Sequence, residues 1–428
     1  MLYLLFFSMF ALIMLGMDIA FVLMVSTVIV IGVSHLGDSL IPVAVVPQYL
    51  FGGVNSFSFT AIPLFILAGE IMNYGGITDR LVQFSQRMVG HIRGGVAQTG
   101  VALNVFMSGV SGSAVADCAA TGSVLIPAMK KDGYSAEKSA AVIASASTIG
   151  PVFPPSIPMI IIGSLAGISV GKLFLAGMIP GLMMGIALMI YIYFYAKRKN
   201  MPKRERATLK EQWKATKSAA LALGMPVLII WSIMSGIVSP TESAVLGVLY
   251  ALIITMFIYK TVNIKSLYQV LLQSVISTGS IMIAVAGGVL YGWLATYLGI
   301  GDTIQEFLYS ISDNKYVLLL VINIILLVLG MVLEAIPIIL LMVPILYPML
   351  TQMGVDPIHF SVIIVVNLMI GLVTPPIGLH LFITSSIAKV PMSGVMKASL
   401  PFMGVLIIVL LLVTFIPQIS LFLPNLFN

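Results

Sequence analysis

Charge is scarce in this sequence. Asp, Glu, Lys and Arg make up 8% of its 428 residues, and no Lys or Arg occurs before Arg80. With 60% of the residues hydrophobic, the chain cannot be an ordinary soluble protein. Cysteine is nearly absent too: Cys118 alone allows no intrachain disulfide and no multi-cysteine metal site, and it reads as a small buried hydrophobe. The N-terminus lacks a basic n-region, so a cleavable signal peptide is not expected there.

What the chain has instead is apolar length. The runs Leu2–Val33, Leu173–Ala196, Val317–Leu333 and Val395–Phe415 are each long enough for a hydrocarbon core about 30 Å thick, which roughly 20 helical residues cross. Together with shorter runs they predict about eleven spans plus several half-length segments, an all-α polytopic membrane protein embedded in a lipid bilayer. The net charge of +6 is concentrated in 197–217, which holds nine Lys/Arg against two Glu and leaves twelve basic and thirteen acidic residues elsewhere. A short basic loop between spans is a cytoplasmic loop by the positive-inside rule and not a nucleic-acid site. Its later part, "RERATLKEQWKATKSAA", is suited to an interfacial amphipathic helix anchored by Trp213.

Two apolar regions are interrupted by proline pairs, "TIGPVFPPSIP" (148–158) and "MIGLVTPPIGL" (369–379). A shift of 221 residues superposes them: Pro127 falls on Pro348, Gly133 on Gly354, Gly150 on Gly371, Pro154–Pro155 on Pro375–Pro376, Ser164 on Ser385 and Pro180 on Pro401. A further two residues bring "YGGITD" (74–79) onto "YLGIGD" (297–302) and Gly69 onto Gly292. The chain therefore divides into a first repeat over 1–196, the basic linker 197–217 and a second repeat over 218–428. Lys130, Lys131 and Lys138 flank a turn whose counterpart, "TQMGVDPIH", has no Lys or Arg, while Lys389 and Lys397 lie one crossing later. Putting every basic loop inside requires the repeats to be inverted and the C-terminus to be periplasmic. A helix broken in lipid frees backbone groups that only a protein-lined polar cavity satisfies. Paired breaks at the midplane are how inverted-repeat transporters build ion and anion sites.

Each break, over about 138–167 and 358–387, is preceded by an irregular element, read as a re-entrant hairpin over about 97–127 and 316–350. In the first hairpin Ser113, Asp117 and Thr121 recur on one helical face, with Ser108 and Ser111 nearby. Small residues also serve close packing, but an intramembrane carboxylate such as Asp117 is a functional candidate by default. In the second hairpin Glu334 falls opposite Ser113, either as a cation ligand or as a cap on the helix that follows. Ser145, Ser147, Thr148 and Ser156 polarise the first break and Asn367 and Thr374 the second, with oxygens suited to an alkali cation. His380 either faces the cavity or packs through a hydrogen bond. "SPTESAVLG" carries a capping box at Ser239 and Glu242 with Pro240 at the first helical position.

The segments "IPLFILAGEIM" (62–72), "SGVSGSAVAD", "GPVFPPSIPMIIIG", "SPTESAV" and "GLVTPPIGL" resemble the large membrane subunit of tripartite ATP-independent periplasmic (TRAP) transporters, over essentially the whole chain. The resemblance implies an elevator-type, Na⁺-coupled importer in the bacterial inner membrane, not an enzyme. It implies two partners: a small four-helix membrane subunit, expected as a separate chain, and a soluble periplasmic substrate-binding protein. It carries at least two Na⁺ sites onto Ser111, Ser113, Thr148, Gly150 and Pro151, and onto Gly330, Glu334, Gly371 and Thr374. The substrate site between them is expected to involve Asp117, Ser145, Pro154, Pro155, Ser156, Asn367, Pro375, Pro376 and His380. The resemblance implies an organic acid as substrate, with sialic acid expected slightly ahead of C4-dicarboxylates and other sugar or keto acids, because no Lys or Arg clusters in the cavity stretches.

Other classes fit less well. "GVSG" (109–112) matches the Gly-x-Ser-Gly element of intramembrane serine proteases, with His380 as a conceivable base, but leaves the repeat unexplained. Hairpins paired with breaks suit occlusion better than a passive channel. ATP-driven transport by this chain lacks its P-loop, since Gly171–Lys172 is followed by Leu173 and Ala166 stands at the first-glycine position. The nearest alternative is an ion-coupled anion carrier of the same broad fold that works without a binding protein.

Overall fold

Apolar length sets where the helices run, and a few caps, glycines and prolines set where they stop. The computed structural model describes residues 1–36, 41–201, 203 and 205–427. The first half contains α1 (Leu2–Met14), α2 (Ile19–Ser34), α3 (Val45–Val54), α4 (Ala61–Tyr74), α5 (Ile77–Val89), α6 (Gly95–Ser111), α7 (Ala114–Lys131), α8 (Ala136–Ala146), α9 (Ile157–Ala166) and α10 (Val170–Arg198). The second contains α11 (Leu209–Met234), α12 (Pro240–Leu252), α13 (Ile264–Tyr297), α14 (Ile300–Ile311), α15 (Lys315–Gly330), α16 (Ala335–Gln352), α17 (Pro357–Gly371), α18 (Leu379–Ala388), α19 (Met392–Phe415) and α20 (Gln418–Leu426).

Among the described residues, seven helices are long and apolar enough to cross a membrane, or eight if the bent pair α14–α15 is one span. The rest of the apolar length expected in about eleven spans lies in shorter helices, including α2, α9, α17 and α18. Leu2–Val33, which reads as one run, is two packed helices, α1 and α2. Gly16 turns the chain at φ +78°, and the Asp18 side chain caps α2 by accepting from the Ala20 N–H. Among the described residues no separate interfacial helix follows the basic loop. The sequence from Leu209 is the first turn of the long helix α11, started by a capping box between Thr208 and Glu211, with Trp213 exposed on its side. Pro202 and Arg204 of the basic run lie outside the described residues.

Matched glycines and prolines have matched conformations. Gly76 and Gly299 precede α5 and α14 at the same φ of +74°, and Gly133 and Gly354 follow α7 and α16 at +90° and +74°. These left-handed turns suit glycine because it has no Cβ. Pro127 and Pro348 lie inside α7 and α16, and Pro180 and Pro401 inside α10 and α19. The halves interlock by exchange. α7 and α8 pack on α18, as α16 and α17 pack on α9, and α8 packs on α19 as α17 does on α10. The remaining long helices form a second group in which α13 packs on α2, α3, α4 and α16, and α12 on α4 and α11.

The capping box at Ser239 has the expected form. The Ser239 hydroxyl accepts from the Glu242 N–H at 3.3 Å, and the Glu242 carboxylate accepts from the Ser239 N–H at 2.6 Å. Glu242 is thus a structural residue. Ser239→Ala is expected to lower the unfolding temperature by loss of a cap worth about 0.5–2 kcal/mol, with uptake unaltered. Thermal unfolding beside an uptake assay checks both halves of that statement.

Candidate functional site

Hairpin tips and helix breaks meet in two places, one per repeat. In the first, α6 ends at Gly112, whose φ is +61° and where a Cβ would stand 2.8 Å from the Pro155 carbonyl oxygen of the break. Only glycine lets the tip approach the broken backbone so closely. Ser113 then starts α7, its hydroxyl accepting from the Ala116 N–H at 3.4 Å. One turn on, Asp117 is fully buried. Its Oδ1 accepts from the Ser111 hydroxyl at 2.5 Å, and its Oδ2 is buried with no hydrogen-bond partner. A Cβ on Gly150 would lie 2.8 Å from that Oδ2, so the glycine of the break leaves room for the carboxylate.

A lone buried carboxylate is costly unless a cation or proton neutralises it. Around Asp117 the neighbouring groups supply oxygen: the Ser111 hydroxyl, the Ser113 hydroxyl and carbonyl, and the irregular backbone from Gly150 to Ser156. Thr148 donates its hydroxyl to the Ser145 carbonyl at 2.7 Å, which leaves its lone pairs to accept or ligate. This oxygen set fits a hard monovalent cation.

The second meeting point is built from backbone. A Cβ on Gly371 would stand 2.7 Å from Cα and C of Gly330 and 2.8 Å from its oxygen, so the end of α15 lies directly against the second break. The Gly378 N–H donates to the Met331 carbonyl at 3.4 Å, and Thr374 donates its hydroxyl to the Ile370 carbonyl at 2.7 Å, as Thr148 does in the other half. No carboxylate corresponds to Asp117 here, because Ile338 stands at that repeat position.

Between the meeting points is a cleft with two adjoining parts. A cavity of about 400 Å³ is lined by Gly112–Val115 of the first tip, Glu334–Ile336 of the second, Pro151 and Leu372 of the breaks, and Ile276–Ile281 of α13. A second, of about 280 Å³, lies between the first tip and α4 and α13, with Glu70, Asn73, Gln273 and Ser277 on its wall. Ser113, Val115, Ile157, Ser277 and Ile281 line both.

The structure redistributes the expected residues. Ser111, Ser113, Asp117 and Gly150 come together, with Thr148 and Pro151 on the adjoining break, and Gly330, Gly371 and Thr374 come together in the other half. Glu334 does not cap: it occupies the N-cap position of α16 with no side-chain capping bond, and it lines the cleft. None of the nine residues expected around the substrate lines either cavity. Asp117 belongs to the first meeting point, and Ser145 is buried with its hydroxyl unpartnered. Ser156 is a buried cap for α9, accepting from Met159 and donating to the Pro151 carbonyl. Pro154 faces α10 and α11, while Pro155 presents its carbonyl to Gly112. Pro375 and Pro376 lie outside the cleft lining. Asn367 donates to the Asn323 side chain at 2.7 Å, and His380 crosses to the other repeat, its Nδ1 3.0 Å from the Ser147 hydroxyl. The packing alternative for His380 is the one realised.

Cleft residues that sequence reasoning missed are Glu70 and Asn73 on α4 and Gln273, Ser277 and Ser280 on α13. The signal was available: Glu70 is a lone carboxylate in an apolar run, and Gln273, Ser277 and Ser280 recur at helical spacing.

Comparison with known proteins places this architecture. Residues 6–419 match the family described as tripartite ATP-independent periplasmic transporter, DctM component. The chain is 37% identical over 380 residues to the sialic acid TRAP transporter large permease protein SiaM of Vibrio cholerae, covering 89% of each chain. It is also 37% identical over 376 residues to the C4-dicarboxylate TRAP transporter large permease protein DctM of Pseudomonas aeruginosa, covering 88% of each. Among solved structures the YdaH transporter of Alcanivorax borkumensis superposes with a TM-score of 0.61 at 13% identity, over 88% of this chain and 87% of that one. At that identity the likeness is one of fold.

Proposed function

This chain belongs to the tripartite ATP-independent periplasmic transporter family as its DctM component, and on that premise we propose that it is the membrane unit of a Na⁺-coupled importer of an organic acid. The observation that carries the proposal is Asp117, enclosed between hairpin tip and break with one carboxylate oxygen bonded to Ser111 and the other facing Gly150 without a partner. Na⁺ is the cation proposed there, held by Ser111, Ser113, Asp117, Thr148, Gly150 and Pro151. A second Na⁺ is assigned to Gly330, Gly371 and Thr374, where carbonyl and hydroxyl oxygens replace the carboxylate.

Binding at the first point neutralises a buried negative charge, and binding at the second adds a positive charge beside the cleft. Both draw a hairpin tip onto its break and so shape the walls between which the substrate sits. The organic anion then completes a unit of low net charge, which crosses the membrane as an elevator movement of the interlocked repeat helices against the α13 group. The Na⁺ gradient and membrane potential drive it, the latter supplying about 2.3 kcal/mol per charge per 100 mV.

The unit is assigned to the bacterial inner membrane, with the basic 197–217 loop cytoplasmic and the C-terminus periplasmic, in line with the positive-inside rule. A small membrane subunit completes it and a periplasmic binding protein delivers the substrate. Relatives named for sialic acid and for C4-dicarboxylates are equally similar, so sequence identity does not choose between them. Sialic acid is favoured by the lack of cleft cations.

Uptake into proteoliposomes holding this chain and its small subunit tests the reading. Labelled sialic acid should enter only with an inward Na⁺ gradient and the binding protein, and Thr148→Ala and Thr374→Ala should each raise the Na⁺ concentration needed. Uptake without the binding protein would favour the stand-alone carrier. An unchanged Na⁺ dependence in both variants would remove these two hydroxyls from the ion sites.

A further inference from the structure

The cleft that should hold an anion carries carboxylates and no cationic side chain. Among the described residues Glu334 lines its larger part and Glu70 its smaller part, while no Lys, Arg or His lines either. Glu334 makes no capping bond and no ion pair, so its carboxylate is available to whatever enters. Sharing the larger cavity are the hydroxyls of Ser113, Ser277 and Ser280 among apolar groups such as Ile276, Ile336 and Met369.

We infer that this wall is a charge filter: the cleft admits an acid with one carboxylate and several hydroxyls and rejects dianions, with Glu334 as the discriminating residue. The inference rests on the cleft being the substrate site. One carboxylate can lie toward the first turns of α7 and α16 and the coupling cations, where the field is positive. A second carboxylate in a space of this size has only Glu334, Glu70 and neutral hydroxyls to meet. Two carboxylates about 6 Å apart at an effective dielectric near 20 repel by an amount that corresponds to on the order of a hundredfold in affinity before salt screening. Substrate hydroxyls, by contrast, donate charge-assisted hydrogen bonds to a free carboxylate. The same group that repels a dicarboxylate therefore holds a polyhydroxy monoacid.

The test is direct binding of labelled sialic acid and labelled succinate to the chain purified with its small subunit, in Na⁺ and without any binding protein. The wild type should bind sialic acid at least about tenfold more tightly than succinate. Glu334→Gln should close most of that gap by strengthening succinate and weakening sialic acid, with the half-saturating Na⁺ concentration unchanged. Glu70→Gln should act in the same direction with a smaller effect. Na⁺-dependent thermal stabilisation shows that each variant is folded. Equal binding of the two acids by the wild type would overturn the inference. So would a Glu334→Gln variant that keeps its preference but needs more Na⁺, which would make Glu334 an ion ligand. Binding of neither acid to the wild type would instead remove the substrate reading of the cleft, and the filter with it.

Discussion

Asp117→Asn is expected to abolish Na⁺-driven uptake, lowering it by about a hundredfold or more, equivalent to roughly 2.7 kcal/mol, while the protein still folds. Asparagine keeps an oxygen that can accept from the Ser111 hydroxyl, so the hairpin tip retains its local geometry. What is lost is the charge beside Gly150. Burying an unpaired carboxylate is unfavourable, so in Na⁺-free buffer the variant should unfold at the same temperature as the wild type or higher. In Na⁺ the wild type should gain stability by binding, and the variant should gain little. A merely structural role predicts the opposite pattern, a lower unfolding temperature in both buffers. Thermal unfolding with and without NaCl, set beside uptake, separates the two.

Gly371→Ala should have a comparable effect by a steric route. The added methyl would stand 2.7 Å from Cα and C of Gly330, which are backbone atoms that no rotamer change can move aside. The end of α15 must retreat from the break, opening the second meeting point. Uptake is expected to fall at least about tenfold and stability by about 1–3 kcal/mol, the usual cost of overpacking. Gly404→Ala in α19, where no heavy atom lies within 4 Å of the new Cβ, is the control and should transport normally. Equal behaviour of the two variants would mean that the Gly330–Gly371 contact is dispensable.

The parts of this molecule that were legible in the sequence are those where the backbone itself is constrained. Gly76 and Gly299, or Gly133 and Gly354, mark left-handed turns that an L side chain rarely adopts, so their spacing carries the repeat. Pro154–Pro155 and Pro375–Pro376 keep the chain non-helical between α8 and α9 and between α17 and α18, because proline cannot continue a helix. Local caps were also readable: Ser239 and Glu242 sit three residues apart and need nothing from elsewhere in the chain.

Side-chain direction was not legible, because it is set by partners far away in sequence. Asn367 looked like a cavity residue beside its break but is turned onto Asn323 of α15. His380 follows the second break yet bonds at the first, because α18 packs on α8 across the repeats. The α13 face bearing Ser277 and Ser280 becomes a cleft wall only once the tips from both halves arrive against it. The basic run offered an amphipathic pattern, but a strong cap at Thr208 and continuous apolar sequence behind it extend one helix to Met234. Leu2–Val33, one run by composition, divides into two helices because Gly16 and Asp18 are short-range stop and start signals inside it.

The central claim is that each hairpin–break pair holds a Na⁺ and that both ions travel with the substrate. The ratio of labelled Na⁺ to labelled substrate entering proteoliposomes, with this chain, its small subunit and the binding protein present, measures that claim most directly. At least two Na⁺ per substrate is the predicted result, with both fluxes lost together in Asp117→Asn. Substrate accumulating with one Na⁺ or none would contradict the account.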